Sequence, residues 1–455
     1  MREKGEGAGG NDFQHRHSTA ETSVGPRITA ARDDSIFHHY TTCAAAGPQH
    51  RSQHVNDRAS DTRRGNPIIP GPKVRSRYSS GNKVPFAHIF EDYIHGRIDI
   101  DGDFRDFIAN RTDYSNYRLV ADHFKFFFSR FIPEVTLHSK KQDERIVQDH
   151  YDRGNDFFNW FLGPRMIYTS AFFNDVDQTL EEGQDQKMNL VCDKLQLKAG
   201  ESMLDIGCGW GTLALHAARE RGADATGVTI ATQGAAYATE QIAKAGYQDS
   251  ARILRMDYRD IPYRRYDKIS CLEMAEHVGV KNFRKFMKQI SSMLEDDGLF
   301  YLQIAGLKAG IHPESLVWGL FMSKYIFSGA DASMPLSFVV KNLEKAGFEI
   351  HSVENIGIHY SITIDRWYDN WMRNQSAVEG KYGQFWFRLW QVFLGWSVHI
   401  AKQGNSTCFQ IVCNKNLEDY NRYRFVGEKG LGERTGIPHA RTHATVSETG
   451  VLEEA

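Results

Sequence analysis

The chain lacks any run of about eighteen uninterrupted apolar residues, so no membrane-spanning helix is read from it. It lacks paired cysteines. The six present (Cys43, Cys192, Cys208, Cys271, Cys408, Cys413) form no C-x-x-C pattern, which argues against a zinc site or a disulfide framework and fits a reducing, cytosol-facing compartment. It lacks charge of one sign. With 55 basic and 57 acidic residues the net charge is −2, which leaves no basic footprint for a nucleic acid. The first ten residues, MREKGEGAGG, hold no apolar core, so no secretory signal is read there. The sequons at Asn110, Asn374 and Asn405 are therefore taken as coincidental. Residues 1–80 have almost no apolar periodicity and are expected to be disordered. Their histidines (His15, His17, His38, His39, His50, His54) have no metal-ligand spacing.

What is present is enough apolar material for a large core, 41% of 455 residues. The most informative stretch is Met203-Leu-Asp-Ile-Gly-Cys-Gly-Trp-Gly-Thr212, an apolar run entering a glycine-rich turn and then a helix-forming segment. Glycines at 207, 209 and 211 keep side chains off the turn, so a ligand can approach the backbone. Amides at the helix start can face an electron-rich group. The spacing is GxGxG and not the GxGxxG dinucleotide fingerprint. By itself such a loop could be a plain strand–helix turn.

Alternating segments follow. Strands are expected at residues 202–207, 224–229, 251–256, 266–272 and 299–305, with helices at 181–197, 211–220, 234–245 and 282–294. This predicts an α/β fold with a doubly wound parallel sheet, in which ligands bind at the carboxyl ends of the strands. Gly207, Thr229, Asp257 and Glu276 fall at or just beyond such ends. Later come a helix at 335–346 and strands at 348–353 and 407–413. Four segments are expected: a polar N-terminus (1–83), a helical cap (84–180), the alternating α/β domain with an insertion (181–416) and a polar tail (417–455). Two aromatic stretches, 315–328 and 385–401, are interrupted by Lys324, Arg388 and His399. They read either as buried core helices or as an aromatic surface that meets a bilayer or lines a lipid channel.

Five motifs in order, HYDRGNDFF, YTSAFF, DIGCGWG, LEMAEHVG and HYSITIDRW, resemble the cyclopropane-fatty-acid synthase superfamily of S-adenosylmethionine-dependent methyltransferases. The resemblance spans about Val84 to Asn416 and is nearest to the fungal sphingolipid C9-methyltransferases, through LGPRMIYTSAFF, FYLQIAGLK, MSKYIFSGADAS and GIHYSITIDRWYDNW. It implies a Rossmann-like class I methyltransferase sheet with helical additions. It also implies S-adenosylmethionine as methyl donor, with Tyr168 and Thr169 over its methionine end, Gly207 and Gly209 forming the floor, and Asp205, Cys208 and Gly211 among the other cofactor-binding residues. Thr229 and Ile230 would meet the ribose, and Asp257 and Tyr258 the adenine. The competing reading of Asp257 is a helix cap.

The resemblance further implies methyl transfer to a lipid double bond, here carbon 9 of a Δ8-unsaturated sphingoid base in a ceramide-type lipid. Relatives hold a bicarbonate as base. Glu276 and Tyr360 match two of its ligands, while Ser170 and Gln303 stand where cyclopropane-forming members carry Cys and His. Ser170 can still offer its backbone N–H and Gln303 its amide, and this altered pocket is expected to favour a restored alkene over ring closure. His277 is read as structural, and Gly234 stands where the family has Gln. The C9-methyltransferase group begins with two membrane-spanning helices, and the polar first 80 residues stand in their place here. The expected partners are a lipid substrate and, through the aromatic segments and FKFFF, the cytosolic face of an internal membrane, with no nucleic acid. The competing readings are a cyclopropane-fatty-acyl-phospholipid synthase and a non-catalytic lipid-binding protein on the same fold.

Overall fold

The computed structural model describes residues 66–131, 153–308, 310, 312–327 and 334–418. The N-terminal histidines, Cys43, the start of the HYDRGNDFF motif, the end of MSKYIFSGADAS and most of the polar tail lie outside them.

The central element is a seven-stranded sheet in the order β10-β11-β9-β8-β5-β6-β7. Ahead of it lie two short ribbons, β1 (Ile68–Pro70) with β3 (Ile98–Ile100) and β2 (Val84–Pro85) with β4 (Ser115–Asn116). The central strands are β5 (Ser202–Ile206), β6 (Asp224–Thr229), β7 (Ala251–Arg255), β8 (Tyr266–Leu272), β9 (Leu294–Leu307), β10 (Phe348–Asn355) and β11 (Ser406–Lys415). β7, β6, β5, β8 and β9 pair in parallel, so right-handed helical crossovers cover both faces. β11 runs antiparallel to both β9 and β10, so the sheet is mixed and not wholly parallel as expected. The reason is connectivity. The helices Gly357–Arg373, Gln375–Tyr382 and Gln384–Lys402 carry the chain from β10 around the molecule before β11 inserts between β10 and β9.

Alternate side chains of β5 feed opposite cores, because successive Cβ atoms point to opposite faces of a strand. Leu204 and Ile206 join Phe283, Phe286 and Met287 on one face. Met203 joins Val191, Ala214 and Ala217 on the other. The helix Leu180–Lys194 starts in a capping box: Glu182 N–H donates to Thr179 Oγ1 and Thr179 N–H to Glu182 Oε2. The helix Thr212–Arg221 is bounded by Gly211 and Gly222, both in the left-handed region that favours glycine.

A third core is largely aromatic. Phe86, Phe90, Phe157, Phe158, Phe161, Trp367, Trp371, Trp390 and Trp396 are all buried in it. It takes most of both aromatic stretches, including Val317, Phe321, Phe387, Leu389, Trp390 and Trp396, so the buried-core reading is the one these helices follow. Across this layer, Arg111 makes a buried two-pronged ion pair with Glu314, which also accepts from Trp396 Nε1. That pair fastens the N-terminal region to the helix Pro313–Phe321. Disorder through residue 80 is corrected from Asn66 onward. Ile68, Val74 and Tyr78 are buried, and Tyr78 donates to Asp92, which Arg77 and Arg97 also hold. Three well-spaced apolar residues thus anchor a stretch whose composition is otherwise polar. Among the described residues, no helix is long and apolar enough to cross a membrane.

Candidate active site

β5 stands at the switch point of the sheet, with β6 on one side and β8 on the other. A cavity of about 1200 Å³, counting its open mouth, lies over the carboxyl ends of β5, β6, β7 and β8. The expected cofactor residues Tyr168, Thr169, Asp205, Gly207, Cys208, Gly209, Thr229, Ile230, Asp257 and Tyr258 all line it.

Gly211 does not line it. A Cβ there would meet Ala238 Cβ at 2.6 Å, so this glycine permits helix–helix contact and starts the helix. Gly209 is the glycine whose missing side chain would have pointed into open space. Gly234 has a physical cause as well: a Cβ there would lie 2.8 Å from the Gly209 carbonyl oxygen. The helix Thr232–Ala245 therefore packs directly on the loop.

Asp205 is buried and accepts from Ser270 Oγ at 2.7 Å. Burial pushes its carboxyl up to about 6, against the opposing effects of the Ser270 hydroxyl and Lys187. Lys187, which sequence reasoning passed over, lines the cavity and donates to Thr169 Oγ1 at 2.6 Å. Burial brings its ammonium down to about 8, opposed by Glu273 and Asp205. Its signal was a lysine next to Met188 on the buried stripe of its helix. Asp257 caps the turn Tyr258–Asp260 through Arg259 N–H and pairs with the Arg259 guanidinium, which is the capping reading, while also lining the cavity. Tyr258 sets its ring edge-to-face on Phe286. His277, read as structural, also lines the cavity and stands 6.0 Å from the Phe327 ring.

Of the four residues expected around a bicarbonate, Ser170, Gln303, Glu276 and Tyr360, none is among those lining this cavity, whereas Glu273 is. Ser170 N–H donates to Glu273 Oε1 at 2.8 Å, and Gln303 Nε2 donates to the same oxygen at 2.7 Å. Tyr360 is held well above the ordinary phenol range, first by burial and then by Glu273 nearby. Glu276 turns away and accepts from Ala305 N–H. Its other oxygen is buried without a hydrogen-bond partner. Burial and the neighbouring Glu273 push Glu276 up to about 8, so at neutral pH it is mainly a neutral acid. Glu273 was missed although it directly follows β8, where the topology places ligands.

The residues present fit S-adenosylmethionine. An open glycine floor faces carboxyl groups at the ends of β5 and β7, a buried lysine stands by Thr169, and apolar walls come from Met166, Ile230 and Met256. Fold and site together define a class I S-adenosylmethionine-dependent methyltransferase. Comparison with known proteins narrows this. The family described as mycolic acid cyclopropane synthetase matches residues 138–411, and the chain belongs to that family. The chain is 49% identical over 371 residues to the sphingolipid C9-methyltransferase of Komagataella phaffii, covering 79% of this chain and 76% of that protein. It is 45% identical over 374 residues to the sphingolipid C9-methyltransferase of Candida albicans, covering 79% and 73%. Among solved structures, mycolic acid cyclopropane synthase CmaA1 complexed with SAH and CTAB superposes with a TM-score of 0.57 at 25% identity, covering 62% of this chain and all of that one.

Proposed function

We propose that the protein is a sphingolipid C9-methyltransferase, acting on carbon 9 of a Δ8-unsaturated sphingoid base in a ceramide-type lipid. The observation that carries this reading is identity of 45–49% to fungal enzymes of that name across more than three-quarters of the chain. S-Adenosylmethionine supplies an electrophilic methyl group at its sulfonium.

The chain's own residues do the rest. Gly207 and Gly209 leave the loop backbone open to the cofactor, and Lys187 with Thr169 offers a cation and a hydroxyl for a carboxylate. Tyr168 packs against Phe158, Phe161 and Trp367 at ring-centroid distances of 5.4–5.8 Å, so its ring is fixed at the cavity wall. Tyr360 lies against the same Trp367 at 6.3 Å. Such ring faces exclude water from an alkene and attract positive charge developing on it. An alkene needs no base to attack a methyl sulfonium, so alignment in a dry site supplies most of the acceleration.

The lipid must leave a bilayer to reach this site. Phe124 and Phe128 are exposed at 52% and 66%, in and just after the helix Ala121–Phe126. They are the side chains that would insert among headgroups on the cytosolic face of an internal membrane. The test of the reading is competition. Supplied with an equimolar mixture of Δ8-unsaturated ceramide and unsaturated phospholipid, the purified protein methylates the ceramide. Exclusive methylation of the phospholipid acyl chains would favour a fatty-acyl cyclopropane or methyl-branching enzyme instead.

A further inference from the structure

Glu273 is unusual in its backbone as well as its position. It is one of few non-glycine residues with positive φ among the described residues, at +50°, a conformation that is strained for a residue with a Cβ. Such strain persists where the surroundings over-determine it, and they do so here. Glu273 N–H donates to the Gln303 carbonyl of β9. Its Oε1 collects the Ser170 N–H, the Gln303 amide and, at 3.6 Å, the Cys408 thiol.

The Gln303 amide is itself oriented. Gln303 Oε1 accepts from Tyr301 Oη and from Gln410 Nε2, and Gln410 Oε1 accepts from the buried Lys194, which pairs with Glu354. That network leaves the Gln303 N–H groups only one direction, toward Glu273. The donors expected to grip a small anion are thus already spent on a carboxylate of the chain. A second anion there would meet Glu273 at close range.

We infer that Glu273 is the base that ends the reaction, taking the place of a bound bicarbonate and removing the proton whose loss restores the alkene. This rests on the proposed C9-methyl transfer. The alkene π pair forms the new bond from C9 to the methyl carbon as the sulfur–methyl bond breaks, and that bonding pair leaves with sulfur as a neutral thioether. C8 is left three-coordinate and positive. Three kinds of proton are then acidic: those on C7, the one still on C9 and those of the new methyl. Loss from C7 would move the double bond to C7–C8. Loss from the methyl closes a three-membered ring. Loss from C9 returns its C–H pair to the C8–C9 bond and leaves a methyl-branched alkene. A carboxylate fixed to the end of β8 meets only one of these positions, whereas a diffusible anion is not tied to the strand. The proton passes to Glu273 and then to solvent.

The test uses the full-length protein and the unsaturated lipid that the wild type methylates, so a wrong lipid assignment shows separately in the wild-type product. Glu273→Gln keeps an oxygen acceptor for Ser170 and Gln303 but cannot take a proton. It lowers kcat about 100-fold or more while the calorimetric affinity for S-adenosylhomocysteine stays within about threefold. Glu273→Gly removes both the carboxylate and the strain. It binds 13C-labelled bicarbonate in the S-adenosylhomocysteine complex, detected by NMR, and added bicarbonate raises its turnover and diverts product toward the cyclopropane. The wild type does neither. Wild-type protein that binds bicarbonate, or loses activity in carbonate-depleted buffer, overturns the inference. So does Glu273→Gln retaining more than about a third of wild-type kcat.

Discussion

Replacing Glu276 with Gln tests the electrostatics of the site without any substrate. In the fold this carboxyl is 5% exposed, accepts one backbone N–H and stands near Glu273, which together with burial raises it from an ordinary 4.5 to about 8. The sign follows from linkage. Below about pH 4.5 the group is protonated folded and unfolded, and its contribution is fully present. As pH rises, the unfolded chain releases the proton first, so stability falls until the folded group also ionises near pH 8. About 3.5 units at roughly 1.4 kcal/mol each is on the order of 5 kcal/mol lost across that window. Glu276→Gln keeps the acceptor for Ala305 and has nothing to titrate. Its Tm relative to wild type therefore rises between pH 4.5 and 9. With unfolding entropies of about 2.1 cal/mol/K per residue, the gain is roughly 5 °C for 455 residues. Asp205 and Lys187 titrate in both proteins and cancel in the difference. Calorimetric or fluorescence melts at half-unit pH steps give the curve. A difference in Tm that stays flat from pH 4.5 to 9 refutes the reasoning.

Further outcomes follow from packing and charge. Gly234→Ala pushes a methyl against the Gly209 carbonyl and weakens S-adenosylhomocysteine binding about tenfold by calorimetry, with a loss of stability of about 1–3 kcal/mol from overpacking. Lys187→Met removes the cation beside Thr169 and lowers the same affinity about 10- to 100-fold, the range for a charged hydrogen bond, with circular dichroism unchanged. Arg111→Ala leaves Glu314 buried and unpaired and costs about 3–5 kcal/mol in denaturant unfolding, a loss that Arg111→Lys only partly restores.

Much of the fold could be read in the sequence because strand-length segments with an apolar centre alternate with helix-forming ones, and β5 stops at the Gly207 turn. The helix Thr212–Arg221 lies within a residue of its expected position, since Gly211 and Gly222 bound it. Direction was not legible. Thr407 to Cys413 reads as a strand from its residues, but its antiparallel insertion is set by three helices of intervening chain. β9 begins earlier than expected, at Leu294, because the helix Val280–Met293 runs into it without a breaker.

The site was legible where glycine spacing marks a loop and where a motif names a residue. It was not legible where function hangs on a side chain's direction. Glu273 and Glu276 lie three residues apart around a tight turn, and the positive φ at Glu273 sends one carboxyl to the cavity and the other to Ala305. No periodicity encodes that choice, which sets the Glu273 carboxylate, and not Glu276, on the Ser170 and Gln303 donors.

The most direct measurement supplies the full-length protein with methyl-labelled S-adenosylmethionine and Δ8-unsaturated ceramide, then locates the label and the double bond by fragmentation mass spectrometry. The account predicts one labelled methyl on C9 of the sphingoid base with the C8–C9 double bond intact. A labelled cyclopropane, or no label in the ceramide while the protein binds S-adenosylhomocysteine, contradicts it.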